Sequence, residues 1–92
     1  MNKITELVAE YLKDSQFTDF MNRPCFPEEE DFIKLFDLLI DFYSFYSQLA
    51  PLVNYQAFED ELLPEDVVDQ IKKEIDWHEV REIWWDYNKY TI

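Results

Sequence analysis

The 92-residue sequence contains no glycine, one cysteine and one histidine. Without glycine it lacks phosphate-cradling loops, dinucleotide-binding fingerprints and EF-hand loops, because each of these needs glycine for a positive φ or a close backbone approach. A single cysteine, Cys25, excludes an internal disulfide, and without a basic cluster nearby it is expected to be a small packed side chain. The sequence therefore shows no catalytic signature, and we predict that the protein is not an enzyme.

The single histidine, His78, is too few for the zinc and di-iron motifs that use paired histidines. Glu74, His78 and Glu82 are spaced four residues apart, which places them on one face if the segment is a single helix. Such a triplet can touch a metal ion, but charged triplets are ordinary on solvated helix faces. We predict no metal site and no cofactor.

Basic residues are also scarce: eight Lys and Arg face 21 Asp and Glu, which gives a formal net charge of -13. With 48% hydrophobic residues, the chain has enough apolar material to fold in spite of this charge. The longest run without a charge, residues 42–58, is too short and too polar to span a bilayer. The N-terminus carries charges at Lys3, Glu6 and Glu10 and does not resemble a signal peptide. We expect a single helical domain over residues 1–92 in a reducing, cytoplasmic setting.

Apolar residues recur at helical spacing along most of the chain, which predicts an all-α bundle of about five helices. Residues 3–14 form an amphipathic helix capped by Asn2, and residues 16–22 are expected to form a short second helix. Pro27 followed by four acidic residues predicts the start of a long central helix, residues 27–50. The polar positions of that helix form one narrow stripe: Glu30, Lys34, Asp37, Asp41, Ser44 and Gln48.

Two prolines divide the C-terminal half. Pro51 ends or kinks the central helix, and residues 52–62 are expected to form a further helix that buries Phe58 and Leu62. Pro64 starts another helix, and Asp76 begins a possible capping box for a last one. The segment 65–90 is either one bent helix or two.

Negative charge concentrates in a segment that we call the lysine-free tract, residues 35–71, which contains no Lys, Arg or His. Its eight carboxylates hold more than half of the net charge, and we predict that they form the partner-binding site. They are Asp37, Asp41, Glu59, Asp60, Glu61, Glu65, Asp66 and Asp69. An acidic solvated face that only provides solubility is the competing interpretation.

Local energetics separate these carboxylates into two groups. Glu65 and Asp66 fall in the first turn of a predicted helix, where acidic residues are favourable. Residues 59–61 fall at the end of a predicted helix, where each carboxylate is unfavourable by about 0.3–1 kcal/mol. Asp37 and Asp41 lie one helical turn apart and are expected to repel each other. Residues that oppose the fold locally are the better candidates for function.

Trp85 is a second candidate for partner binding. If Trp77, Val80, Trp84 and Tyr87 face the core, then Trp85 lies on the polar face of its helix, and exposed tryptophan is enriched at interfaces. The alternative is that its ring covers the N-terminal helix or stacks on Arg81.

Three runs of residues carry a resemblance to a known class of protein: PEEED (27–31), FEDELLPED (58–66) and the lysine-free tract. In these features the chain resembles the small acidic phage proteins that inhibit CRISPR or restriction nucleases by imitating DNA. Such inhibitors share no sequence motif, so the resemblance assigns no binding residue. The implied partner is a basic protein that binds nucleic acid, such as a nuclease or effector complex.

Two other classes of function stay open. LVAEYLKDSQFTDFMN (7–22) is similar to the helix–turn–helix opening of some immunity proteins of the colicin kind, which neutralise basic nuclease toxins. The third class is a non-catalytic helical interaction subunit whose charge provides only solubility. Direct binding to nucleic acid or to an anionic membrane is not expected, because the surface repels both.

Overall fold

Residues 2–90, the part of the chain that the computed structural model describes, form five α-helices and no β-strand. The helices are α1 (Lys3–Leu12), α2 (Glu29–Leu39), α3 (Tyr43–Leu49), α4 (Glu65–Glu74) and α5 (Trp77–Asn88), and a 3₁₀ helix (Ala50–Val53) follows α3 directly. The predicted all-α bundle is therefore confirmed. Within residues 2–90 no helix is long and apolar enough to cross a membrane.

Hydrogen bonds join the start of α1 to the junction between α4 and α5. As predicted, Asn2 caps α1: its side-chain oxygen accepts a hydrogen bond from the Thr5 N–H at 2.7 Å. The Asn2 amide NH₂ also donates to the Glu74 carbonyl at 2.6 Å. The buried Thr5 hydroxyl accepts a hydrogen bond from the Asp76 N–H at 3.0 Å. Since the backbone between Glu74 and Asp76 is engaged with α1, the segment 65–90 is two helices and not one bent helix.

The starts of α4 and α5 follow the local sequence signals. Pro64 is the N-cap residue of α4, and Glu65 and Asp66 occupy its first turn, where their charge complements the helix dipole. Asp76 caps α5, because its side-chain oxygen accepts a hydrogen bond from the Glu79 N–H at 3.2 Å. Both predicted helix starts are confirmed.

The predicted helix over residues 16–22 is wrong, because this segment forms a turn closed by an antiparallel bridge between Thr18 and Pro24. The Cys25 N–H donates to the Phe17 carbonyl at 3.0 Å and continues the bridge. The aromatic ring of Phe17 fixes the base of the turn on the core, with its centroid 5.8 Å from that of Trp84.

Asp19 explains why the turn replaces a helix. Its carboxylate accepts hydrogen bonds from the Met21 N–H at 2.8 Å and the Arg23 N–H at 3.1 Å. The bond from the Arg23 backbone is the main reason that the pKa of Asp19 is lowered. Asn22 takes a left-handed conformation with a φ of 59°, which a short polar residue tolerates. Asp19 therefore offers the backbone an alternative to helical hydrogen bonds.

The single central helix predicted over residues 27–50 is also wrong. α2 begins at Glu29, with Pro27 before its N-cap residue Glu28, and it ends at Leu39. The chain then turns, and α3 begins at Tyr43 as a separate helix.

Aromatic packing explains this break. The ring centroids of Phe36 and Phe45 lie 5.7 Å apart, with the rings edge to face. In a continuous helix, nine residues would separate these positions by roughly 13.5 Å along the axis. Turning the chain at residues 40–42 therefore lets two large buried rings pack on each other instead of facing different neighbours.

The predicted helix over residues 52–62 is wrong as well. As predicted, the helix before Pro51 ends there, but only the short 3₁₀ helix follows, and Asn54 terminates it in a left-handed conformation with a φ of 57°. Residues 55–64 have no regular secondary structure. Leu63 is buried and fixes the end of this segment against the core just before α4.

Candidate functional site

The side chain of Tyr46 holds the segment that we call the acidic loop, residues 58–62. Tyr46 belongs to α3 and is 1% exposed. Its hydroxyl lies 2.8 Å from the Phe58 carbonyl oxygen and 2.6 Å from the Glu61 carbonyl oxygen, so its single proton is shared between two acceptors. The Glu61 N–H also donates to the Phe58 carbonyl at 3.2 Å. The acidic loop is therefore a turn that is fixed to the core at two points.

Glu59, Asp60 and Glu61 are all exposed on this turn. The prediction that they oppose a helix dipole is wrong, because no helix contains them. Their carboxylates instead act on Tyr46. Burial is the main reason that the pKa of the Tyr46 hydroxyl is raised, and the nearby Tyr43 and the three carboxylates raise it further. The charges of the acidic loop thus lie close enough to the Tyr46 hydroxyl to influence its ionisation.

Asp37 and Asp41 do not form the exposed pair that the sequence predicted. Both are exposed, but Asp41 lies in the turn after α2 and not on the same helix as Asp37. Asp37 is also compensated, because its Oδ1 lies 2.9 Å from the Nζ of Lys72 in α4. The prediction of an uncompensated repulsion on one helix edge is therefore wrong. Lys72 lies just outside the lysine-free tract, and only the tertiary fold brings it to Asp37.

The three remaining carboxylates of the tract, Glu65, Asp66 and Asp69, are exposed on the first half of α4. Lys72 and Lys73 occupy the last turn of the same helix. Glu65 and Asp66 in the first turn and the two lysines in the last turn complement the helix dipole, which explains the placement of these four charges but not that of Asp69.

Ion pairs with Lys or Arg are less frequent in the lysine-free tract than in the rest of the described chain. Among residues 2–90, Asp37 is the only one of the eight carboxylates of the lysine-free tract that forms an ion pair. Elsewhere, carboxylates are paired with Lys or Arg at Glu10–Lys13, Asp19–Arg23, Glu30–Lys34, Glu28–Arg81 and Asp86–Lys89. The tract thus keeps seven exposed carboxylates without a cation partner in the described part of the chain.

The sequence failed to predict that apolar side chains are exposed within the acidic loop. Phe58 is 49% exposed and Leu62 is 64% exposed, although both were expected in the core as residues of a helix. Tyr43 is 40% exposed and packs edge to face on Tyr46 with ring centroids 5.4 Å apart. The loop therefore carries three carboxylates between two exposed apolar side chains. The spacing of apolar residues could not have predicted this exposure, because that spacing predicts a helix with Phe58 and Leu62 on its buried face, and the segment is not helical.

Trp85 is partly exposed, as predicted, but it lies in a different environment from the acidic residues. Its ring packs edge to face on Phe26, with centroids 4.5 Å apart. The two rings border an open groove of about 330 Å³ whose other lining residues are Pro27, Arg81, Glu82 and Trp84. None of these residues belongs to the lysine-free tract. The structure therefore does not join Trp85 to the other predicted site residues.

The Arg81 side chain joins α5 to the segment that precedes α2. Its Nε donates to the Pro27 carbonyl at 2.9 Å, and its Nη2 lies 3.6 Å from the Glu28 carboxylate. The predicted core face of α5 is confirmed for Val80 and Trp84 but is wrong for Tyr87, which is exposed and lies under the ammonium group of Lys13.

The proposed helical alignment of Glu74, His78 and Glu82 does not exist, because Glu74 ends α4 and His78 belongs to α5. His78 instead lies between two carboxylates, with Nδ1 3.8 Å from Glu29 and Nε2 3.6 Å from Glu82. No group of residues within 2–90 has the arrangement of a metal site.

Comparisons with protein-family models, with curated proteins and with solved structures give no match to this chain.

Proposed function

We propose that the protein is an acidic inhibitor that binds the basic nucleic-acid-binding surface of a protein partner. In its most specific form, the proposal is a phage anti-defence inhibitor that imitates DNA and blocks a CRISPR or restriction nuclease. One observation carries it: seven exposed carboxylates of the lysine-free tract have no cation partner within residues 2–90, and three of them lie on a turn fixed by Tyr46.

Electrostatics support a partner of this kind. B-DNA carries about one charge per 1.7 Å of axis, so a surface that binds DNA is lined with Lys and Arg. Exposed, unpaired carboxylates attract such a surface over a screening length of about 8–10 Å, which accelerates association. Five carboxylates outside the tract are paired with Lys or Arg, whereas only Asp37 is paired within it, so most of the tract's negative charge is not compensated by a neighbouring cation in residues 2–90.

Inhibition of DNA cleavage tests the proposal. Purified RNA-guided CRISPR nucleases, restriction endonucleases and colicin-type DNase toxin domains are assayed with increasing amounts of the protein. We expect inhibition of a defence nuclease, and we expect replacement of Glu59, Asp60 and Glu61 by Lys to weaken it by about tenfold or more. The melting temperature should change little, because exposed substitutions usually alter stability by within about ±0.5 kcal/mol.

A matched variant separates a local site from a general effect of net charge. Glu6, Asp14 and Glu74 are exposed, lie outside the lysine-free tract and form no ion pair within residues 2–90. Their replacement by Lys changes the net charge by the same amount, and inhibition should stay close to the wild-type level. Equal losses in the two triple variants would contradict a local site, and failure to inhibit any defence nuclease would contradict the anti-defence role. Inhibition of the toxin domain alone would instead identify an immunity protein.

A further inference from the structure

Charge attraction alone does not require the exposed apolar side chains of the acidic loop. An inhibitor that only replaced the phosphates of a duplex would need carboxylates, but here Phe58 and Leu62 flank them at the two ends of the same short turn. Tyr43 adds a third partly exposed apolar side chain next to Tyr46. Single exposed apolar residues are common on protein surfaces, so the position and the fixed geometry of these residues matter more than their number.

The geometry favours binding through these side chains. The Tyr46 hydroxyl bonds to the carbonyls of Phe58 and Glu61, so the backbone that carries the exposed side chains is already ordered. An ordered backbone loses less conformational entropy on binding than a mobile one. An aromatic or aliphatic side chain can act as an anchor that enters a pocket of the partner, with polar groups around it.

The negative charge of the loop determines which kind of partner can bind to it. Glu59, Asp60 and Glu61 lie between Phe58 and Leu62 in the loop, are exposed, and have no ion pair within residues 2–90. A second copy of this chain is disfavoured as occupant because the protein has a net charge of -13. Anionic membranes and nucleic acids are disfavoured for the same reason. The complementary occupant is a protein surface in which Lys or Arg surround apolar or aromatic side chains.

We propose that the acidic loop binds a basic protein surface. Phe58 and Leu62 act as apolar anchors that enter an apolar pocket of the partner, and residues 59–61 pair with the Lys and Arg side chains around that pocket. This inference rests on the proposed function and narrows its partner. Grooves that bind single-stranded nucleic acid combine basic residues with aromatic platforms on which bases stack. The acidic loop matches such a groove, with carboxylates in the place of phosphates and apolar side chains in the place of bases.

Two lysine-rich peptides of equal length and charge test the inference by fluorescence anisotropy at low salt. One peptide has a central Ser-Ser pair and the other a central Trp-Phe pair. We expect the wild-type protein to bind the Trp-Phe peptide roughly tenfold more tightly, because stacking or burial of an aromatic ring is worth that much. Replacement of both Phe58 and Leu62 by Ala should remove this preference and leave affinity for the Ser-Ser peptide unchanged.

Two further variants serve as controls. Phe20 is 92% exposed and lies on the turn at residues 18–24, outside the lysine-free tract, so Phe20→Ala should keep the preference. The Phe58→Ala, Leu62→Ala double variant keeps the backbone carbonyls that Tyr46 binds, and its circular dichroism and melting curve should remain close to those of the wild type.

The outcomes separate this inference from the proposed function. Equal wild-type affinities for the two peptides, or a preference lost equally in Phe20→Ala, would overturn the apolar anchors while leaving the charge attraction in place. Binding that survives replacement of residues 59–61 by Lys would overturn the acidic loop as the binding site in both proposals. A wild-type protein that binds neither peptide would also overturn both.

Discussion

The hydroxyl group of Tyr46 lies 2.6 Å from the carbonyl oxygen of Glu61, and this contact joins the buried side of α3 to the acidic loop. The same hydroxyl reaches the Phe58 carbonyl, so one buried side chain fixes both ends of the turn that presents residues 59–61. The order of the proposed binding surface therefore depends on a residue that is itself buried.

Replacement of Tyr46 by Phe should loosen the acidic loop while keeping the core filled. We expect the melting temperature to fall by roughly 4–8 °C, since a buried hydrogen bond is lost in a small domain. Hydrogen exchange of the amides in residues 58–62 should accelerate. Tyr43→Phe is the matched control, because the Tyr43 hydroxyl forms no hydrogen bond within residues 2–90. Unchanged exchange in Tyr46→Phe would show that the hydroxyl does not hold the loop.

The stability of the protein should also depend on Tyr46 at alkaline pH. The pKa of Tyr46 is raised above its ordinary value of 10.0 in the folded state, so the folded protein holds this proton more tightly than the unfolded chain. The resulting stabilisation is complete below the unfolded-state pKa and is lost as the pH rises through the folded-state pKa.

Chemical unfolding from about pH 9 to pH 11 measures this effect, with Tyr46→Phe as the reference that lacks the titrating group. The stability advantage of the wild type over the variant should shrink as the pH rises. An advantage that stays constant over this range would contradict a raised pKa.

The starts of α1, α4 and α5 were predictable because they depend on a few neighbouring residues. Asn2 and Asp76 cap the helices that follow them, and Pro64 directly precedes α4, all as the sequence indicated. The break after Leu39 was not predictable, since it depends on the packing of Phe36 against Phe45 across two helices.

In the candidate site, too, local features were predictable from the sequence and tertiary contacts were not. The concentration of acidic residues is visible in the sequence, and their exposure is confirmed. The pairing of Asp37 with Lys72 depends on how α2 approaches α4, and the turn at residues 58–62 depends on a hydroxyl group on α3. Neither relationship has a local signal in the sequence.

The Thr5 hydroxyl should be important for the junction between α4 and α5. Thr5→Val keeps the shape of the side chain but leaves the Asp76 N–H without its acceptor. We expect the free energy of unfolding to fall by about 1–3 kcal/mol, measured by urea denaturation. Thr18→Val is the matched change at an exposed position and should have a much smaller effect. Equal stability of Thr5→Val and the wild type would contradict this role.

The ion pair between Asp37 and Lys72 should contribute only modestly. Its two side chains are 49% and 29% exposed, and surface pairs of this kind are usually worth about 0.2–1 kcal/mol. A double-mutant cycle with Asp37→Asn and Lys72→Met should give a coupling energy in that range, and added salt should reduce it. The same cycle with Asp41→Asn in place of Asp37→Asn should give no coupling. A larger coupling energy for Asp41 than for Asp37 would show that Lys72 pairs with Asp41, which would contradict the ion pair described above.

Competition with nucleic acid for the inhibited nuclease tests the central claim most directly. A fluorescently labelled nucleic acid is bound to a nuclease that the protein inhibits, and its anisotropy is followed as the protein is added. The account predicts that the wild-type protein releases the nucleic acid and that the variant with Lys at positions 59–61 does so about tenfold less effectively. Loss of cleavage while the nucleic acid stays bound, in a ternary complex with the protein, would contradict it.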